Sequence, residues 1–180
     1  RGAGIARAEG RAAGLGLPDG GVTLDGDDVL IMAVTAPVAA DLLGDVLPDL
    51  RVPDAFESIV NVHFRLDPAP VALGALGRAR FIGVVGGISE WVFVKDDILS
   101  VTVSAANRYA DRDNDELAAV IWNEVRAAVG PALARPLPLD MPPMRMVRER
   151  RATFAATPAQ ERLRPPVRTA LAHLFLAGDW

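Results

Sequence analysis

Several groups of residues have types and spacings that could carry chemistry. Gly2-Ala-Gly4-Ile-Ala-Arg7 opens like the glycine turn that seats a dinucleotide pyrophosphate. Arg7, however, stands where a third glycine must let helix and strand approach, and neither a preceding strand nor a following helix is legible. Asp111-Arg-Asp113-Asn-Asp115 carries the alternating carboxylates of a calcium loop. Glu116 replaces its turn glycine and Trp122 its last ligand, so a helix cap fits better. Gly87-Ile-Ser89-Glu-Trp91 lacks the second glycine of a nucleophile elbow, which leaves Ser89 as a turn residue. His63 and His173 lack the i, i+4 spacing that turns two imidazoles towards one ion. Both are read as hydrogen-bonded structural residues, and no metal site is assigned.

Arg145, Arg148, Arg150 and Arg151 could contact phosphate, but alternation along a strand divides them between two faces, and few aromatics accompany them to stack bases. They are read as a solvated or salt-bridged face. Trp91, Phe93 and Trp122 are most simply core residues, although the wall of a large apolar pocket would use the same types.

The elements that must position these groups begin with short strands and turns over 4–34. The last of them, from Val29 to Val34, is an unalternated apolar run that suits a strand covered on both faces in a parallel sheet. A short helix is expected over 37–43, followed by loop to about residue 54. From Ile59 a succession of strands follows, over 59–66, 81–85, 90–94 and 99–104, with Asp96-Asp97 as a hairpin turn, so an antiparallel sheet is predicted. A helix starts at the Asp113-x-x-Glu116 cap and carries Leu117, Ile121, Val125 and Ala128 along one side, ending at Gly130-Pro131. A proline-rich connector leads to a basic strand over 144–154. Loop or weak helix over 157–170 and a buried strand over 174–177 complete the chain. The fold class is therefore α+β, mainly antiparallel or mixed sheet with flanking helices, and the run from Val29 to Val34 adds a strand of the kind found in the parallel sheet of a nucleotide-binding fold.

With 180 residues, 51% of them hydrophobic and 23% charged, the chain can bury a sizeable core. No apolar run approaches the roughly 18 residues of a spanning helix. Nineteen basic against 23 acidic residues give a net charge of −4, which offers no general field for nucleic acid. The absence of cysteine excludes a disulfide framework and thiolate chemistry, and favours a reducing compartment. An apolar strand followed by Gly178-Asp179 ordinarily leads into further structure, so the sequence reads as a piece of a longer protein.

Five collinear blocks add a resemblance. They are Ile59-Val-Asn-Val-His-Phe-Arg65, Trp91-Val-Phe-Val-Lys-Asp-Asp97, Leu99-Ser-Val-Thr-Val-Ser-Ala-Ala106, Glu149-Arg-Arg-Ala-Thr-Phe-Ala-Ala-Thr-Pro158 and Leu174-Phe-Leu-Ala-Gly-Asp-Trp180. In this order they resemble the squalene-associated FAD-dependent desaturases, better described as hydroxysqualene dehydroxylases of hopanoid synthesis, within the flavin amine oxidase and phytoene desaturase superfamily. The resemblance implies a partial, Rossmann-like FAD-binding domain over 1–36, a substrate-binding domain over 37–170 whose sheet floors an apolar pocket, and a returning FAD-domain strand over 171–180. It implies FAD as cofactor, contacted by Gly178, by the Asp179 carboxylate and by the backbone around Ile5, and it names no catalytic residue. The implied substrate is an isoprenoid, collected by peripheral contact with the inner face of a membrane by an otherwise cytoplasmic protein. A piece lacking the glycine turn is expected not to retain FAD tightly, and its exposed sheet edges are expected to favour self-association. A phytoene desaturase-like enzyme, an amine oxidase and an independent non-enzymatic domain binding an apolar ligand are the competing readings.

Overall fold

The computed structural model describes residues 4–180; Gly2, in the opening glycine motif, lies outside them. The chain forms two compact units, one from 1–56 with 153–180 and the other from 57–152. The stretches 37–56 and 153–170, which the sequence resemblance put on the substrate side, belong to the first of these units.

In the first unit β1 (Gly4–Ala8), β2 (Arg11–Leu17) and β3 (Gly20–Thr23) form an antiparallel meander in that order. Its first turn needs two positive φ angles, which Glu9 and Gly10 supply. Apart from the meander, β4 (Leu30–Met32) runs parallel to β10 (Leu174–Leu176), with Leu30, Ile31 and Met32 opposite Leu174, Phe175 and Leu176. The parallel pairing was expected, but the burial of β4 on both faces was not borne out: Ile31 is 61% exposed. Met32, Leu174 and Leu176 instead bury one side, against Ala12, Leu171, Trp180 and the Ala36, Ala39 and Leu43 face of α1 (Ala36–Leu43). Pro37 fits the first turn of that helix, where its missing N–H costs nothing. The weak helix expected after residue 157 is the single turn α4 (Pro158–Glu161). Thr157 caps it at Gln160 N, and the buried Gln160 side chain receives Asp54 N at 2.9 Å and donates to Asp54 Oδ1 at 2.8 Å. One amide thereby anchors two loops.

The second unit is a five-stranded sheet in the order β6-β7-β8-β5-β9, formed by β5 (Phe56–Arg65), β6 (Phe81–Gly83), β7 (Trp91–Lys95), β8 (Ile98–Val103) and β9 (Met144–Phe154). The pairs β6-β7, β7-β8 and β8-β5 are antiparallel, as the alternation predicts. Asp96, at φ +50, takes the left-handed conformation in the two-residue turn between β7 and β8. Helix α3 (Asn114–Val129) buries Leu117, Ile121, Trp122, Val125 and Val129 with the Val60, Val62, Phe64, Val92, Val94, Leu99 and Val101 side of the sheet. Its start is the predicted cap: the Asp113 carboxylate accepts the N–H groups of Asp115 at 2.8 Å and Glu116 at 3.1 Å. The short helix α2 (Gly74–Ala79) had no sequence signal, because Gly74 and Gly77 are poor helix formers. Gly77 is nonetheless required, since a Cβ there would lie 2.6 Å from Ala72 O.

Candidate functional site

Cross-strand register sorts the second unit's sheet into two faces. Residues directly opposite one another point the same way, so Val62, Val101, Val92 and Ile82 make one row of the packed face, and Phe64, Leu99 and Val94 the next. The other face carries different chemistry. One of its rows runs Asn61, Thr102, Trp91, Gly83; the next runs His63, Ser100, Phe93, Phe81; a third runs Arg65, Ile98, Lys95. The helix packed on the first face leaves this one open: Trp91 is 43% and Phe81 46% exposed.

Trp91 and Phe93 are therefore not core residues, contrary to the simpler sequence reading. Alternation gives the core to Val92 and Val94, and only Trp122 among the three aromatics is buried there, 5.0 Å from Phe64. The open-face aromatics form a wall, with Phe81 6.0 Å from Trp91 and 5.9 Å from Phe93. Gly83 helps shape it. A Cβ at that position would stand 3.3 Å from the Trp91 indole, so the ring lies over a spot that offers no side chain. Lys95 lies 5.4 Å from the Phe93 ring and closes one end of the wall with a charge.

Beside the wall sit two side-chain hydrogen bonds. Thr102 Oγ1 donates to Asn61 Oδ1 at 2.7 Å, and Ser100 Oγ meets His63 Nδ1 at 2.9 Å. Ser100 is nearly covered, at 3% exposure, whereas His63 is half-buried. Partial burial, then the nearby charges of Lys95 and Arg145, lower the His63 pKa and favour the neutral imidazole. His63 is hydrogen-bonded, as its sequence reading expected, but it stands on the accessible side of the sheet.

The remaining motifs take structural parts. Ser89 is buried in the loop between β6 and β7, where the Glu124 carboxylate of α3 accepts Ile88 N at 2.9 Å and Ser89 N at 2.7 Å. Burial pushes the Glu124 pKa up, but these donors outweigh it and hold the carboxyl below its usual value. Arg148 is tied to Asn114 Oδ1, Tyr109 O and Arg112 O, on the side opposite the aromatic wall. His173 Nδ1 meets Asp28 O at 2.9 Å.

In the first unit the residues singled out for a cofactor sit on a strand or just past the end of one. Ile5 lies on β1, an edge of the meander, and its side chain packs on the core beside β4 and β10. Gly178 and Asp179 follow β10 after Ala177. Trp180 folds back over Gly178, so a Cβ there would fall 2.5 Å from Nε1, and that Nε1 donates to Val34 O at 2.8 Å. Nothing in the sequence patterns marked Trp180 as this tie. Asp179 remains exposed and makes no hydrogen bond or ion pair among the described residues. A free carboxylate just past the carboxyl end of a parallel strand is chemically suited to accept hydroxyl groups of a nucleotide-type cofactor.

A parallel β4/β10 pair together with an antiparallel sheet is found here in a defined class of protein: the chain belongs to the flavin containing amine oxidoreductase family, which it matches over residues 3–180. Within that class its curated relatives carry a single name. Hydroxysqualene dehydroxylase from Rhodopseudomonas palustris is 43% identical over 88% of this chain and 34% of its own length. The protein of that name from Sinorhizobium fredii is 43% identical over 90% and 35%, and that from Zymomonas mobilis 36% identical over 88% and 34%. The chain thus spans about a third of the length of the curated relatives it matches. Iminodiacetate oxidase from Chelativorans sp. BNC1 shares the fold at a TM-score of 0.53 and 17% identity, over 98% of this chain and 42% of that one.

Proposed function

We propose that the chain is part of an FAD-dependent oxidoreductase that removes the allylic hydroxyl of hydroxysqualene reductively, giving squalene for hopanoid synthesis. The observation that carries this reading is the 43% identity to hydroxysqualene dehydroxylases across about nine-tenths of the chain. The open sheet face agrees with it chemically. Three aromatic rings offer the extended apolar contact a long isoprenoid needs, and two small polar pairs lie beside them where an oxygen could be met.

Bound and reduced, FAD supplies the hydride. In this reading the Asp179 carboxylate accepts hydrogen bonds from cofactor hydroxyls, Gly178 keeps the turn close, and the outer edge of β1 around Ile5 offers backbone groups. The substrate's apolarity supports collection from the cytoplasmic face of a membrane, and no helix among the described residues is long and apolar enough to cross one. The exposed edge strand β3 supports self-association, which a light-scattering dilution series measures.

The decisive experiment uses the complete reading frame. Its purified product should show flavin absorption, and under anaerobic reducing conditions hydroxysqualene should reoxidise the flavin as squalene appears. A product without flavin, or a reduced flavin indifferent to hydroxysqualene, overturns the proposal. Asp179→Ala should lower flavin content while leaving the circular dichroism spectrum unchanged.

A further inference from the structure

Resting on the function just proposed, we infer that His63 is the residue that recognises the substrate's oxygen, as a neutral alcohol, and that Ser100 is the positioning residue that fixes its ring. The two stand opposite each other on β5 and β8, in the row that continues into Phe93 and Phe81. A chain lying along the aromatics therefore passes the nearly covered Ser100 and meets the imidazole beyond it.

The hydrogen bond of 2.9 Å engages Nδ1, and Nε2 makes no bond among the described residues. Either tautomer leaves Nε2 useful. If the Ser100 hydroxyl donates to Nδ1, Nε2 carries the proton and donates; if Nδ1–H donates to Ser100, Nε2 is an acceptor. An alcohol can answer both, being donor and acceptor at once. A cationic amine cannot answer the donor form, and it would face Lys95 on β7 and Arg65 and Arg145 on β5 and β9. The same surroundings keep the imidazole neutral, which agrees with an uncharged ligand. A purely architectural hydrogen bond would gain nothing from standing half-exposed at the end of a row of aromatic rings, where an unmet polar atom weakens an apolar surface.

The test is a fluorescence titration of the complete protein, which reads Trp91 and needs no turnover. Farnesol, the hydrocarbon farnesene and farnesylamine are the probes, and Trp91→Phe identifies the signal. The expected result is farnesol bound about tenfold more tightly than farnesene, the worth of one well-made hydrogen bond, with the amine weakest. His63→Phe should erase the preference while farnesene still binds, which also shows that the variant folds. Ser100→Ala should reduce the preference and move the His63 titration followed by NMR, and Ser100→Thr should restore both. Wild-type protein without preference for the alcohol, or His63→Phe retaining it, overturns the inference. A complete protein that binds flavin and forms squalene yet shows no alcohol preference overturns this inference alone. Absence of flavin overturns the function, and the titration then still decides His63.

Discussion

Strand β7 presents two kinds of surface within five residues. Val92 and Val94 point to α3 and are buried among aliphatic neighbours; Trp91, Phe93 and Lys95 point away and stay in reach of solvent. On a face kept only for solubility, alternation would place polar residues at the outward positions. Instead, three large aromatic rings gather on the side that no element of this unit covers, with polar pairs set beside them. The difference separates residues that hold the sheet together from residues that give it something to bind.

Substitution should break that symmetry of position into an asymmetry of effect. The largest loss belongs to Phe64→Ala, which removes a fully buried ring packed on Trp122 and should cost about 3–5 kcal/mol by denaturant titration. Next comes Glu124→Ala. It strands the N–H groups of Ile88 and Ser89 and should cost about 1–3 kcal/mol, with faster hydrogen exchange at those two amides. On the open face, Trp91→Ala loses the half-exposed ring's contacts with Phe81 and Gly83 and should cost about 1 kcal/mol, while weakening the binding of an apolar ligand. Equal losses at Phe64 and Trp91 would erase the distinction between the faces.

Two pH effects sharpen it further. Glu124 has a depressed pKa, so its stabilisation is fully present above the ordinary glutamate value of 4.5 and is lost as pH falls through the lower folded value. Loosening of the β6–β7 loop should follow the same acid limb in amide exchange. His63 acts in the same direction over a higher pH window. Its folded pKa lies below the ordinary 6.5, so between those values the unfolded chain binds more protons and stability declines as pH falls. His63→Gln should flatten that part of the stability profile.

Much of this architecture is legible in the sequence because it rests on local rules. The Asp113 cap, the turn at Asp96-Asp97 and the alternation along β5, β7 and β8 each depend on neighbours within a few residues. The parallel partner of β4 was legible only as a class of strand, since the residues it pairs with lie far along the chain. Trp91 and Phe93 were misplaced for a related reason. Residue type says that a ring prefers to leave water, whereas register says which side it can leave from, and only the pairing of β7 with β6 and β8 fixes that. The His63–Ser100 pair is likewise invisible before β5 and β8 are aligned, because the two residues are 37 positions apart. Trp180 is a longer case: its indole reaches a carbonyl 146 positions earlier.

The pairing of β4 with β10 also dictates an order of events during synthesis. The first unit is discontinuous, and its parallel ladder closes only when 174–176 have been made, whereas the second unit lies in one stretch, 57–152. Contacts of such long sequence separation form slowly and late. The sheet bearing the aromatic wall is therefore expected to become protease-resistant on the ribosome first, with the β4–β10 seam sealing last. Pulse proteolysis of stalled nascent chains ending at successive lengths would reveal that sequence.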